Sequence, residues 1–305
     1  MAIQTKMRKD LILLKDLSTE EINHLLDRGD FWADNPNSTI SSAPRTVANP
    51  VIVNLFFEPS TRTRFSFELA AKKLGYHVLN FDARNSSTTK GETLYDTLRT
   101  FEAMGVNTAI IRTQEEGILQ EIAPQVEVSL INAGAGANEH PTQGLLDLLT
   151  IRQEFGHLEG LKVAIIGDVK HSRVANSNIV ALSKFGAAIS LAGPEQWMPT
   201  EIDSNVQISS VDDALNDADV VMMLRVQSER HALTNTIDNY LESYGLNKTR
   251  FAKLKDNTIV MHPAPFNRGI EIDGDLIERS NSRIYRQVAN GVAIRMAVLE
   301  LCNAG

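Results

Sequence analysis

Short apolar runs alternate with amphipathic stretches along most of the chain, and turn-forming residues separate them. Residues 51–57 and 163–166 have the length and composition of buried strands, whereas residues 92–104 repeat apolar side chains at helical spacing. Regular alternation of strands and helices implies parallel strands with helices on both faces of each sheet. The pattern therefore predicts an α/β fold with two doubly wound parallel-sheet domains.

Local signals mark three further segments. Ser18-Thr-Glu-Glu21 has the form of a capping box and predicts a helix that starts near residue 18. Residues 116–125 are also predicted to be helical. Residues 82–91 contain no apolar residue larger than alanine, so we expect a mobile loop there.

The length of 305 residues is sufficient for two domains, each with its own core. Residues 145–155 predict a long helix that links the domains, and residues 284–301 predict a closing amphipathic helix. We expect one domain to contain residues 1–143 and 285–305. The other domain is expected to contain residues 144–284.

Composition narrows the class of protein. A formal net charge of −8 argues against binding to nucleic acid or to a membrane surface. The N-terminus lacks the apolar core of a signal peptide, and no apolar run reaches transmembrane length. Cys302 is the only cysteine, which excludes an intrachain disulfide framework. We therefore expect a cytoplasmic protein.

The turn after the first predicted strand has the composition of an anion site. Pro59 ends the apolar run, and Ser60 can cap a following helix that begins with Thr61-Arg-Thr-Arg64. Backbone N–H groups, hydroxyl donors and two guanidinium groups meet there, and the helix dipole adds positive potential. Phosphate is the ligand that suits this arrangement best.

Polar donors recur at the ends of other predicted strands in both halves of the chain. Ligands of parallel α/β sheets bind beyond the carboxyl ends of the strands, so these donors are candidate ligand contacts. The set comprises Arg62, Arg64, Lys90, Arg112, His140, Gln143, Arg173, Arg225 and Gln227. Together they predict a site for at least two anionic groups.

Several other chemistries lack their sequence signals. Gly167 ends a predicted strand, but bulky residues follow it instead of the glycines of a dinucleotide fingerprint. The chain has no P-loop, no pair of histidines at zinc-ligand spacing on one helix and no nucleophile elbow. We therefore predict no cofactor and no metal, and a reaction driven by positioning and electrostatic stabilisation.

Taken together, the motifs resemble those of a known family. Ser60-Thr-Arg-Thr-Arg64, Arg112, His140-Pro-Thr-Gln143 and His262-Pro-Ala-Pro265 are similar to motifs of the carbamoyltransferases. Within that family, the aspartate carbamoyltransferase catalytic chains are indicated by Lys90-Gly-Glu-Thr-Leu, His171-Ser-Arg173 and Arg225-Val-Gln227. The resemblance extends from about residue 10 to the C-terminus.

The resemblance implies transfer of the carbamoyl group of carbamoyl phosphate to L-aspartate, a step of pyrimidine synthesis. It assigns the catalytic roles to Arg62, Thr63, Lys90, Arg112 and His140. It assigns carbamoyl phosphate binding to Ser60, Thr61, Arg62, Thr63, Ser86, Arg112, His140, Gln143, Pro263 and Ala264. It assigns L-aspartate binding to Lys90, Arg173, Arg225, Gln227 and Pro265.

The resemblance also implies a homotrimer with shared active sites. Ser86 and Lys90 lie in the segment that family members contribute to the site of a neighbouring chain. Glu58 lies beside the arginines of the anion site, and we expect it to orient them. Binding of regulatory chains to the trimer is left open.

Two alternatives remain at this point. Ornithine carbamoyltransferases share the phosphate motif, but typically have His-Cys-Leu-Pro where this chain has His262-Pro-Ala-Pro265. The arginines at 173 and 225 instead suit the carboxylates of aspartate. A non-catalytic relative that binds a phosphate ligand could dispense with Lys90, Arg112 or His140, yet all three are present.

Overall fold

The computed structural model describes residues 9–36, 49–82, 91–226 and 239–303. The chain forms two compact units, one of Met1–Leu149 with Ala289–Gly305 and one of Thr150–Val288. We call these unit 1 and unit 2. Each boundary between them falls inside a long helix, Pro141–Phe155 or Ile284–Asn303.

Unit 1 contains a four-stranded sheet in which every pair of strands is parallel. Its described elements up to the first boundary helix are α1 (Thr19–Asp34), β1 (Val51–Phe56), α2 (Thr61–Lys73), β2 (His77–Asp82), α3 (Leu94–Ala103), β3 (Thr108–Arg112), α4 (Ile118–Ile122), β4 (Ser129–Asn132) and α5 (Pro141–Phe155). The strand order is β2-β1-β3-β4. The order reverses between β1 and β3.

Unit 2 contains a five-stranded sheet, which is also entirely parallel. Its described elements are β5 (Lys162–Ile166), α6 (Arg173–Lys184), β6 (Ala188–Ala192), β7 (Val206–Ile208), α7 (Val211–Leu215), β8 (Val220–Met223), α8 (Tyr240–Ser243), α9 (Lys248–Phe251), β9 (Ile259–Met261) and α10 (Ile284–Asn303), whose later part belongs to unit 1. The order β7-β6-β5-β8-β9 reverses between β5 and β8. The predicted fold class, with two doubly wound parallel sheets linked by long helices, is confirmed.

The apolar pattern accounts for the central strands of each sheet. Val53 and Leu55 on β1 pack with Leu98 of α3 in the core of unit 1. In unit 2, Ala164 and Ile166 on β5 pack with Val221 on β8 and with other buried residues. Strands that are covered on both faces read as continuous apolar runs, which is why they could be located in the sequence.

Helix starts follow local hydrogen-bonding signals. The Ser18 hydroxyl accepts from the Glu21 N–H, and the Glu21 carboxylate accepts from the Ser18 N–H, so the predicted capping box is confirmed. The helix predicted over 116–125 is shorter than expected. It begins at Ile118 and changes to a 3-10 turn over Ala123–Gln125, because Pro124 has no N–H to continue the helical ladder.

The C-terminal part of α10 joins unit 1 through buried polar contacts. Glu300 accepts from the guanidinium of Arg28 and from the indole N–H of Trp32, both on α1. Asn303 accepts from the hydroxyl of Thr108 at 3.0 Å. These contacts connect the end of the chain to both α1 and β3.

Two isoleucines of the unit 2 sheet provide a test of the assignment of central and edge strands. Ile165 lies on the central strand β5 with no exposed surface, whereas Ile208 on the edge strand β7 is 46% exposed. We expect Ile165→Ala to lower the free energy of unfolding by about 2–5 kcal/mol, because it leaves a cavity in a packed core. Ile208→Ala should cost less than about 1 kcal/mol. Urea unfolding followed by circular dichroism measures both, and equal losses would contradict this assignment.

Candidate functional site

The reversal of strand order in unit 1 brings two of the predicted donor segments together. β1 pairs with β3 in a register that aligns Phe56 with Arg112. The next residue, Phe57, donates its N–H to the Arg112 carbonyl at 2.9 Å. The turn that leads into α2 therefore starts beside Arg112, at the position where parallel α/β sheets bind ligands.

The first turn of α2 has the geometry of an anion site. Ser60 occupies the N-cap position, but its side chain makes no capping hydrogen bond. The Arg64 N–H donates to the Ser60 carbonyl at 3.2 Å, which is the first bond of the helical ladder. The N–H groups of residues 61–63 come before it and belong to the end of the helix that can bind a ligand. Thr63 is buried, whereas Thr61 and Arg62 are exposed. The positive end of the helix dipole and the Arg62 charge both favour an anion at this end of the helix.

Arg112 is held by a neighbouring carboxylate. Its Nε lies 3.2 Å from Oε2 of Glu58, and both side chains are mostly buried. Glu58 is thus a partner of Arg112, whereas its expected effect on the arginines of the anion site, Arg62 and Arg64, stays a prediction. Pairing restricts the guanidinium to one orientation, because an ion pair with little exposure loses stability if one partner turns away.

The segment after β4 presents His140 and Gln143 from the start of α5. Both side chains are buried, and the His140 carbonyl accepts from the N–H groups of Gln143 and Gly144 at 2.8 and 3.2 Å. Pro141 occupies the first helical position, where a missing N–H costs nothing. The Gln143 Nε2 donates to Oδ1 of Asp147 at 3.0 Å.

Asp147 accepts from Gln143 at this helix start and interacts electrostatically with Arg295, and the sequence reasoning did not identify either residue. The fully buried Arg295 donates to the Gly291 carbonyl at 2.9 Å and lies 5.0 Å from the ring centre of Phe67 on α2. Burial lowers the pKa of Arg295 to about 9, and the charge of Asp147 opposes that shift. A signal was present, since Gln143 and Asp147 lie four residues apart on one helix face.

Glu139, directly before His140, was also missed. Its side chain is buried and accepts a hydrogen bond from the Leu14 N–H. Burial raises the pKa of Glu139, although hydrogen bonds from the Leu14 and Lys15 amides act in the opposite direction. Glu139 thus attaches the N-terminal segment to the residue that precedes α5.

In unit 2, the strand order reverses between β5 and β8, and the segments after both strands carry predicted donors. Asp168 follows β5 and accepts from the backbone N–H of His171 at 3.3 Å, and its Oδ1 lies 2.8 Å from Nδ1 of the His171 ring. Ser172 then caps α6 by accepting from the Ala175 N–H at 3.2 Å. This turn places the half-buried Arg173 in the first turn of α6.

The segments that follow β5 and β8 approach each other closely, and this requires a glycine at position 167. Gly167 has a φ of +133°, and a Cβ added there would lie 2.9 Å from the Cβ of Leu224. Leu224 donates its N–H to the Ile166 carbonyl at 2.8 Å and directly precedes the half-buried Arg225. A side chain at position 167 would therefore displace the backbone that carries Arg225.

The segment after β9 contains the predicted backbone acceptors. Pro263 and Ala264 are half-buried and Pro265 is exposed. Ala264 has a φ of +50° and donates its N–H to Nδ1 of the buried His262 at 2.9 Å. The His262 side chain thus fixes the orientation of the peptide group between Pro263 and Ala264, which includes the Pro263 carbonyl.

Three predicted site residues, Ser86, Lys90 and Gln227, lie outside the described residues. Within the described ranges, no group of three or more His, Cys, Asp or Glu side chains is placed to hold a metal ion. Over the same ranges, no helix combines the length and apolar character needed to cross a membrane.

Two family models match nearly the whole chain. Residues 9–153 match the carbamoyl-P binding domain of aspartate/ornithine carbamoyltransferase, and residues 159–302 match its Asp/Orn binding domain. The chain therefore belongs to the aspartate/ornithine carbamoyltransferase family. It is a carbamoyltransferase by family and by fold.

Solved structures with the same fold include aspartate transcarbamoylases from two organisms. The catalytic subunit from M. jannaschii is 33% identical with a TM-score of 0.84, and the match covers 97% of this chain and 98% of that one. A Trypanosoma cruzi structure with carbamoyl phosphate and aspartate is 30% identical with a TM-score of 0.80, covering 95% of each chain. Another from T. cruzi, with N-(phosphonacetyl)-L-aspartic acid, is 30% identical with a TM-score of 0.82, covering 96% of this chain and 95% of that one.

The burial of Glu139 predicts a defined pH dependence of stability. Because the folded pKa is raised, the folded state holds its proton to higher pH than the unfolded state. The ionised side chain therefore costs stability as pH rises above about 4.5, the ordinary pKa of a glutamate side chain. We expect Glu139→Gln, which keeps an acceptor for Leu14, to gain stability relative to wild type as pH rises from 4.5 to 7.

Urea unfolding at several pH values between these limits measures the difference. The exposed Glu121, changed to glutamine, is the matched control and should show no comparable trend. A constant difference between Glu139→Gln and wild type across this range would contradict the prediction.

Proposed function

We propose that this chain transfers the carbamoyl group of carbamoyl phosphate to the amine of L-aspartate. The products are N-carbamoyl-L-aspartate and phosphate, and the reaction is a step of de novo pyrimidine synthesis. The observation that carries the proposal is the match, over 95% of the chain, to an aspartate transcarbamoylase structure that contains both substrates. The predicted donors of unit 2 agree with it, because Arg173 and Arg225 would attract carboxylates and repel the ammonium group of ornithine.

In this proposal the first turn of α2 binds the phosphate group of carbamoyl phosphate. Ser60, Thr61, Arg62 and Thr63 supply hydroxyl, amide and guanidinium donors to its oxygens. Arg112 reaches both the phosphate and the carbonyl oxygen. Phosphate leaves with additional negative charge, so cationic donors and the helix dipole stabilise the leaving group.

Thr63, Arg112 and His140 polarise the carbonyl group. The amine of aspartate attacks the carbamoyl carbon, and negative charge grows on the carbonyl oxygen as a tetrahedral intermediate forms. Donors already directed at that oxygen stabilise the transition state more than the bound substrate. His140 precedes a helix, where the dipole favours the neutral imidazole, which can still donate one hydrogen bond.

Gln143 orients the carbamoyl nitrogen together with the carbonyls of Pro263 and Ala264. Asp147 accepts from the Gln143 Nε2, so Oε1 is the end of the amide that accepts from the substrate. The two N–H groups of the carbamoyl nitrogen are directed at these three acceptors, which hold the planar carbamoyl group in one orientation. A fixed orientation lowers the entropic cost of reaching the reactive geometry.

L-Aspartate is bound by residues with complementary charge. Arg173 and Arg225 contact its two carboxylates, since a guanidinium group binds a carboxylate with two parallel hydrogen bonds. Gln227, Lys90 and the backbone at Pro265 complete the contacts. The uncharged form of the amine is then presented for attack.

We further propose a homotrimer in which Ser86 and Lys90 enter the site of the neighbouring chain. Phe65 and Leu69 lie four residues apart on α2 and are 58% and 46% exposed, so they offer an apolar surface for a second copy. A cytoplasmic location fits a chain whose single cysteine, Cys302, is buried and unable to form an intrachain disulfide.

Substrate preference tests the proposed reaction. We expect phosphate release from carbamoyl phosphate to depend on L-aspartate, and L-ornithine in its place to give no release above background. Formation of N-carbamoyl-L-aspartate in equal amount confirms transfer rather than hydrolysis. Arg225→Ala should raise KM for aspartate by at least about tenfold, because it removes a charge-assisted contact. Turnover with ornithine alone would contradict the proposal, and no turnover with either acceptor would favour a binding protein.

Hybrid assembly tests the shared site. Arg62→Ala and Lys90→Ala homotrimers should each be nearly inactive, because every site then lacks one essential cation. Mixed trimers should regain part of the activity, since some sites receive Arg62 and Lys90 from chains that carry the wild-type residue. Native mass spectrometry verifies the hybrids. Absence of recovery in verified hybrids would show that Lys90 acts within its own chain.

A further inference from the structure

A fully buried carboxylate lies behind the segment that follows β9 in unit 2. Glu271 has no exposed surface. Its Oε1 lies 3.3 Å from Nε2 of His262 and also accepts from the Asn267 N–H, while its Oε2 accepts from the Asn267 Nδ2 at 3.3 Å. A buried carboxylate is costly to desolvate, so these contacts together retain it.

The contacts of His262 define its tautomer. Nδ1 accepts the Ala264 N–H at 2.9 Å and therefore carries no hydrogen. The ring hydrogen of neutral His262 must then be on Nε2, the nitrogen that lies 3.3 Å from Oε1 of Glu271. The backbone N–H of His262 is held as well, by Oε1 of Gln287 at 2.9 Å.

This arrangement restricts the Pro263 carbonyl. The Ala264 N–H belongs to the peptide group whose carbonyl is that of Pro263, so a hydrogen bond to this N–H also directs that carbonyl. Ala264 has a φ of +50°, a backbone region that is unfavourable for an L-residue and needs support from its surroundings. The hydrogen bond to His262, whose ring contacts Glu271, contributes to this support.

A second set of hydrogen bonds connects the Glu271 carboxylate to the segment that follows β8. The Asn267 Nδ2 also donates to the Val226 carbonyl at 3.2 Å. Val226 directly follows Arg225, to which we assign an aspartate carboxylate. Asn267 therefore bridges the carboxylate of Glu271 and the backbone that carries Arg225.

We propose that Glu271 is a positioning residue, and that its buried carboxylate positions two segments of the site through two different neighbours. Through His262 it directs the Pro263 carbonyl, one of the acceptors that orient the carbamoyl nitrogen. Through Asn267 it positions the backbone next to Arg225. The inference rests on the proposed function, because it assigns these two segments to the carbamoyl group and to aspartate.

A selective loss of substrate binding would distinguish a positioning role of Glu271 from a general contribution to stability. We expect Glu271→Ala to raise KM for carbamoyl phosphate by about tenfold, the equivalent of one lost hydrogen bond, with less than about a twofold change in Kd for inorganic phosphate. Phosphate lacks the carbamoyl nitrogen, so it does not use the Pro263 and Ala264 carbonyls. Glu271→Gln keeps an acceptor for His262 and should recover part of the loss.

Asn267→Ala tests the second set of hydrogen bonds and provides a second variant if Glu271→Ala does not fold. It should raise KM for aspartate by about three- to tenfold and leave KM for carbamoyl phosphate within about twofold. The exposed Glu278, which pairs with Arg268 at 3.7 Å, gives the matched control Glu278→Gln, and wild-type kinetics are expected for it.

Nitrogen NMR of His262 tests the proposal without turnover. The wild-type protein should show the Nε2–H tautomer, and Glu271→Ala should show a mixture of tautomers. An Nδ1–H tautomer in wild type would overturn the proposal, as would unchanged KM values in folded Glu271→Ala or an equal loss of inorganic phosphate binding. Absence of wild-type turnover with aspartate refutes the proposed function instead, which keeps the two failures distinct.

Discussion

Every strand pair in both sheets is parallel, so the carboxyl ends of all strands in a sheet meet at one edge. Each helix that follows a strand begins at that same edge, and the positive ends of its peptide dipoles point there. Reversal of strand order between β1 and β3, and between β5 and β8, places two such ends beside each other. Arg112 is the last residue of β3 in unit 1, and Arg225 comes two residues after the end of β8 in unit 2, so the topology places cationic groups at the edges where parallel sheets bind ligands.

Behind each group of donors lies a buried polar network that restricts its motion. Glu58 pairs with Arg112 in unit 1, Asp147 accepts from Gln143, and Glu271 contacts His262 in unit 2. A buried charge without a partner would cost several kcal/mol, so these networks hold one arrangement. A rigid arrangement suits carbamoyl transfer, because donors that need no reorganisation stabilise developing charge most effectively.

Sequence patterns located the parallel strands and the start of α1, and they predicted donor residues at the strand ends where a ligand site is expected. These features depend on residues that are close in sequence, such as the Ser18 capping box and the first turn of α2. The end of α4 was misjudged because the apolar pattern continues past Pro124, whereas the missing N–H interrupts the helix. The motifs identified the family, but the assignment of individual contacts to substrates still rests on chemical complementarity.

The amino-acid sequence was sufficient to derive the α/β class and the strand ends that carry arginines, and to predict an anion site in the turn after β1. Alternation of strands and helices, turn residues and helix dipoles are local properties, which explains why no tertiary information was needed. Only the tertiary structure decided which strands are adjacent and which buried groups support the donors. The contacts of Arg295 with Phe67 and of Glu139 with Leu14 join residues far apart in sequence, and spacing along the chain carries no information about such partners.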